Sequence, residues 1–192
     1  VTKPDINTHT HDARPPRFSK RLQGYILILL AVSLLWAAQH YDRTAQQGHH
    51  RLLVSTAKTR GDVFEKSVVL VLHHLKSGAL GIVINKGDEG GPVGHDKVFT
   101  VHTLDKRVNE TAPLADIGLG LVEGAAAAEK LAAQKPAWHL TVKGYAGWSG
   151  RQLDYEINEG EWRVLHFDPA LAQMSGEAMW IAADKKAGAA DK

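Results

Sequence analysis

Apolar residues fall along the 192-residue chain in three regimes. Residues 1–17 (VTKPDINTHTHDARPPR) hold almost none, too few to offset the entropy of ordering a chain, and read as disordered. Tyr25 to Ala38 (YILILLAVSLLWAA) is a run of fourteen residues without a charge. From Arg51 onward, short β-branched and leucine-rich runs alternate with breaks that contain glycine or proline, the pattern of buried strands in a folded domain.

Within that last region Leu52 to Val54 and Ser67 to Leu72 predict strands. Lys76 to Gly78 predicts a turn, and Ala79 to Asn85 the returning strand of a hairpin. Gly87 to Gly94 (GDEGGPVG) predicts a loop, because four glycines and a proline cannot continue a strand. Val98 to Val101 predicts a further strand, and the alanine-rich Val122 to Gln134 a helix stopped by Lys135-Pro136. Trp138 to Val142 and Trp162 to Phe167 predict strands on either side of a helix over Arg151 to Asn158. Asp168-Pro169 then reads as an N-cap and first-turn proline, and Met174 to Lys186 as a final amphipathic helix. These elements define an α+β fold over residues 51–192, a compact mixed or antiparallel sheet with packed helices.

The apolar run, extended back to Leu22, reaches the lower edge of the roughly 17–25 residues that span a bilayer. Its length also suits a signal peptide. A long preceding segment, Pro15-Pro16, and bulky Trp36 at the possible cleavage context favour an uncleaved anchor over residues 22–41. Tyr25 lies at one interface, with Trp36 and Tyr41 at the other. Arg14, Arg17, Lys20 and Arg21 precede the run, whereas Arg43 and Arg51 follow it. The positive-inside rule therefore predicts a cytoplasmic N-terminal tail (1–21), a single spanning helix, a polar linker (42–50) and a translocated domain. In a bacterium that places the domain in the periplasm.

Charge sharpens this picture. Residues 1–24 carry five basic and two acidic side chains, so the net charge of +2 belongs to the tail, and the remainder is close to neutral. Nucleic-acid binding loses its electrostatic argument. The absence of cysteine excludes disulfides, thiolate metal sites and a thiol nucleophile. Gly90-Gly91-Pro92-Val93 could present amides to an anion, but it lacks the lysine and hydroxyl of a phosphate loop and reads better as a tight turn. Gly118-Leu119-Gly120 fails the dinucleotide spacing. A Ser149–His166–Asp168 triad can be drawn, yet Arg151 stands where a nucleophile elbow needs glycine. Asp154 and Glu156, two apart on a predicted helix, face different directions and make poor acid–base partners.

Four blocks resemble the YqgE/AlgH (UPF0301) family of bacterial proteins. They are the segment Leu52 to Asn85, Gly90-Gly91-Pro92-Val93, a strand ending at His102, and Gly144-Tyr145-Ala146-Gly147-Trp148 followed by Gln152-Leu153, an acid and Trp162. Together they cover about 120 residues in the family's order. The chain departs from the family in a shorter segment between Asn85 and Gly90. It also has Trp148-Ser149-Gly150-Arg151 where the family tends to Gly-Trp-Gly-Pro-Gly, and it adds the apolar N-terminal segment. The resemblance implies a compact α+β fold with no established enzymatic activity, and a cytoplasmic setting as the alternative to the periplasm.

His74, Asn85 and His102 coincide with family positions. With Gly90 and Gly91 they are the candidates for a small ligand site, or else side chains that hold loop backbone. Gly144, Tyr145, Gly147 and Trp148 read as an aromatic packing motif with Trp162. No catalytic residue, metal site or cofactor is expected. The leading expectation is a membrane-anchored, non-catalytic protein-interaction domain, an accessory subunit that meets the bilayer through its anchor and a membrane complex or other protein through its domain. The alternatives are a ligand-binding or hydrolytic domain around His74, Asn85 and His102, and a regulator by family association.

Overall fold

The computed structural model describes residues 51–190. The predicted tail, spanning segment and linker, with Tyr25, Trp36 and Tyr41, lie outside the described residues. Among the described residues no helix is long and apolar enough to cross a membrane.

Among the described residues the strands are β1 (Arg51–Ser55), β2 (Val68–Leu75), β3 (Gly78–Val83), β4 (Val93–Thr103), β5 (Ala112–Leu114), β6 (Leu119–Glu123), β7 (His139–Ser149) and β8 (Trp162–His166). Four α-helices accompany them among the described residues: α1 (Ala125–Ala133) and α2 (Gln152–Asn158) between strands, and α3 (Pro169–Ala172) and α4 (Gly176–Ala190) after β8. The sheet order is β5-β6-β4-β7-β3-β2-β1-β8, with every strand ladder antiparallel. Of the two expected alternatives, mixed or antiparallel, the sheet takes the antiparallel one. The parallel contact is an isolated bridge, Glu89 to Lys143, where the glycine loop lies along β7.

Side chains alternate across the sheet and both faces are buried, which is why β1 and β2 read as unbroken apolar runs. Leu52, Val54, Val68, Leu70 and Ile82 face one core with Phe99, Val101, Met179 and Ala183. Leu53, Val69, Val71 and Val83 face another with Trp148, Leu153 and Trp162. Helix α4 covers the first face and α2 the second, while α1 adds Ala127 and Leu131 over Val122 of β6.

Strand β7 joins the two halves of the curled sheet. Its first part pairs with β4 (His102 opposite His139), and its last part with β3 (Ala79 opposite Trp148). The exchange occurs at Gly144, whose φ of +77° is open to glycine and strained for other residues. Before it Leu140 and Val142 face the first core; after it Ala146 and Trp148 face the second. The strand predicted over Trp138 to Val142 thus continues to Ser149, past Gly144 and Gly147. They do not end the strand; Gly144 turns it.

Strands β5 and β6 were not expected. β5 is three residues long and contains Pro113, and Val122-Glu123 of β6 had been absorbed into the alanine-rich helix. Gly124, at φ +96°, separates strand from helix. Strand β4 begins at Val93 inside the predicted loop, with irregular register as far as Val98. Asp168 caps α3 as expected, its side chain accepting from Ala170 N–H with Pro169 in the first turn.

Candidate functional site

The three polar candidates do not form one cluster. Asn85, just past β3, bonds the start of β2, and His74 lies near the far end of β2, about 20 Å away at the rise of an extended strand. His102 lies on β4, three strands from β2 with β7 and β3 between them.

Asn85 is buried and fully occupied. Its Oδ1 accepts from Val68 N–H at 2.8 Å, and its Nδ2 donates to the carbonyls of Lys66 (2.9 Å) and Gly176 (3.1 Å). Gly176 N–H returns a bond to the Asn85 carbonyl at 3.0 Å. One amide therefore ties the start of β2 to the first turn of α4. His102 is completely buried beneath Gly120, where an added Cβ would meet its Nε2 at 2.6 Å. Its Nδ1 lies 2.8 Å from the Thr103 carbonyl, so that nitrogen carries the proton, and Nε2 faces the Thr111 hydroxyl at 3.5 Å. Neither side chain reaches open space.

Gly90 and Gly91 pack backbone against backbone. A Cβ on Gly90 would meet the Gly144 carbonyl oxygen at 2.3 Å, and one on Gly91 the Tyr145 carbonyl carbon at 2.3 Å. Gly90 N–H donates to Lys143 O at 2.7 Å while its carbonyl accepts from Val83 N–H at 2.8 Å, so its amide is not available to an anion. Beside this loop Val63, Phe64, Val83 and Pro92 line a recess of about 130 Å³. Lys86 donates to the Val63 carbonyl there, and burial pushes its ammonium pKa down.

His74 differs from the others. Strand β2 carries a bulge between Val71 and His73, after which His74 pairs with Ala79. The extra residue shifts the alternation, so His74 emerges on the same face as Ala79, under α2. There its Nε2 meets Asp154 Oδ1 at 3.1 Å, and both line a cavity of about 320 Å³ with Arg51, Leu53, Val71, Leu153, Ile157, Asn158 and Val164.

The aromatic motif is built around Glu156. Trp148 Nε1 and Trp162 Nε1 both donate to Glu156 Oε2, at 2.7 and 2.9 Å, and Gln152 Nε2 donates to Oε1 at 2.9 Å. Phe64 stacks on Trp148 and meets Trp162 edge-on, with centroids 6.2 and 5.4 Å away. Tyr145 is not part of this group; it packs edge-on against Phe99 in the other core. Gln152 and Glu156, one helical turn apart on one face, were the available signal. Glu156 and Asp154 do face different partners, as their spacing requires.

The drawn triad is not assembled. Ser149 Oγ bonds Gln152, Asp168 caps α3 and pairs with Lys186, and His166 is exposed on β8. Among the described residues no three histidine, aspartate or glutamate side chains group as a metal site requires.

The residues thus define an α+β protein with a curled antiparallel sheet, whose most specific sequence motif secures an aromatic core. The sequence profile of the AlgH-like family (DUF179) matches residues 88–191. A UPF0301 protein of Streptomyces coelicolor is 33% identical over 158 residues, 68% of this chain and 81% of the relative. One from Methylococcus capsulatus is 30% identical over 176 residues, 78% of this chain and 93% of the relative. The solution structure of the AlgH protein from Pseudomonas aeruginosa superimposes with a TM-score of 0.60 at 23% identity, over 70% of this chain and 85% of that one, a likeness of fold. The chain belongs to the AlgH-like, UPF0301 family of bacterial proteins.

Proposed function

We propose that this chain is a non-catalytic interaction protein that presents the edge of its sheet to a membrane-associated partner. Residues 22–41 serve as its anchor, the N-terminal tail is cytoplasmic and the domain periplasmic. The anchor and orientation are supported by the apolar run and its basic flank.

The observation that carries the interaction reading is the outer edge of β8. Thr56 N–H donates to the Glu161 carbonyl at 3.0 Å, in the same register as the β1–β8 ladder. Antiparallel bonding alternates, so Arg163 and Leu165 bond toward β1, while the backbone groups of Trp162, Val164 and His166 point away from it. β8 is last in the strand order, so among the described residues no strand pairs with that side. An open groove of about 640 Å³ runs beside it, lined by Thr56, Lys58, Ile157, Gly160, Trp162 and Val164 among others. A partner's extended segment can add there as a further strand. Confinement to a bilayer raises its effective concentration toward membrane partners.

The test is purification of the full-length chain from native membranes in mild detergent, beside a Val164→Pro variant. Proline removes an outward N–H and leaves the β1 ladder intact. Stoichiometric co-purification with the parent, lost in a folded Val164→Pro protein, is the expected result. A lone protein, or a partner that ignores the substitution, refutes the edge reading.

A further inference from the structure

The cavity beneath α2 holds a second, independent message. Its floor is apolar: Leu53, Val71 and Leu153 are at most 2% exposed, and Ile157 and Val164 continue it. Its rim is polar and carries both signs. The Arg51 side chain makes no hydrogen bond or ion pair with another described residue, while its backbone belongs to the β1 ladder. Asp154 gives one oxygen to His74 and is 54% exposed, with its second oxygen open to another donor. Asn158, one turn after Asp154 on the same helix face, adds an amide.

We propose that this cavity binds a free apolar α-amino acid. The rim offers a guanidinium for a carboxylate and a carboxylate for an ammonium, and these two groups do not neutralise one another. Guanidinium–carboxylate contact is bidentate and strong, and a charged ammonium–carboxylate bond is similarly favoured. A simple anion would satisfy Arg51 yet face the Asp154 carboxylate, and a simple amine would meet the converse. A zwitterion answers both. At roughly 30 Å³ per water molecule the cavity equals about ten waters in volume, which suits a leucine- or phenylalanine-sized ligand. The apolar floor then selects for side-chain size, at about fourfold in affinity per buried methylene.

The bulge in β2 is what completes the rim. In regular alternation His74 would turn to the opposite face; the extra residue brings it under α2, where it holds Asp154 at the cavity mouth.

The experiment is calorimetric titration of the full chain with leucine, isocaproate (no amine), isoamylamine (no carboxylate) and glycine. Leucine is expected to bind at least tenfold more tightly than either single-charge analogue, and glycine weakest. Arg51→Gln should bring leucine down to the level of isoamylamine without altering isoamylamine binding. Asp154→Asn should bring leucine down to the level of isocaproate. Both positions are exposed, so folding is not at risk. Equal binding of leucine and isocaproate, indifference to both substitutions, or no heat with millimolar leucine, phenylalanine and methionine each overturns the proposal.

Discussion

Beneath α2, two indole rings converge on one carboxylate with Phe64 packed against both; on the opposite face of the same strands, beneath α4, Leu52, Val54 and Leu70 meet Met179 and Ala183 with no polar atom among them. Both cores are buried to a similar degree, yet they constrain sequence differently. Aliphatic packing asks for volume and shape, and tolerates substitution that keeps both. The aromatic core asks for direction as well. Two indole N–H groups leave water on folding, and a single oxygen of Glu156 serves both. This is the physical reason why the Gly144-to-Trp162 segment is the distinctive stretch of the chain.

The largest effect that would sharpen this contrast lies where the two halves touch. Gly91→Ala places a Cβ 2.3 Å from the Tyr145 carbonyl carbon, where neither backbone can yield, at a φ of +149°. The loss should approach the whole stability of a domain, about 5–15 kcal/mol, and be seen as insoluble or unfolded protein by circular dichroism. Soluble, cooperatively melting protein would show that the glycine loop is not packed as described.

Next comes a matched pair in the aromatic core. Glu156→Ala strands two buried indole donors, at about 1–3 kcal/mol each. Glu156→Gln retains a carbonyl acceptor and should cost about half as much or less in urea unfolding. On the aliphatic face, Leu70→Met should cost less than about 1.5 kcal/mol. If Gln is no better than Ala, or Leu70→Met proves the worst of the three, the distinction between directional and volumetric cores fails.

The smallest effect depends on pH. The Asp168 carboxyl is held below the usual range by its bond to Lys186 and by the Ala170 N–H it caps. A lowered folded pKa contributes stability that is present above the unfolded value, near about 4, and lost as pH falls through the folded value. Asp168→Asn should therefore lower the melting temperature slightly at neutral pH and converge with the parent in acid. Curves that stay parallel throughout would contradict the linkage.

Much of this was legible in the sequence where local chemistry decides the outcome. The β2–β3 hairpin, the Asp168-Pro169 helix start and the β8 run each depend on neighbouring residues. What escaped depends on partners remote in sequence. β5 exists because β6 is beside it, and β7 runs through Gly144 because β3 waits on the far side. The histidines show the same limit within the site. His74 and His102 look alike in the sequence, but one is sealed beneath Gly120 and the other is swung to a cavity mouth by a single extra residue in its strand. A period-two reading carried past Leu72 assigns His74 to the wrong face.

The pairing of β1 with β8 has a kinetic consequence. The first described strand finds its outer neighbour in the last, and Trp180 Nε1 reaches back to the Ser55 carbonyl across 125 positions of chain. Contacts so distant in sequence form slowly, because loop closure precedes any reward. During vectorial synthesis the apolar strip of β1 and β2 must stay uncovered on that side until β8 and α4 have emerged, so any truncation before Trp162 leaves a sticky, half-roofed sheet.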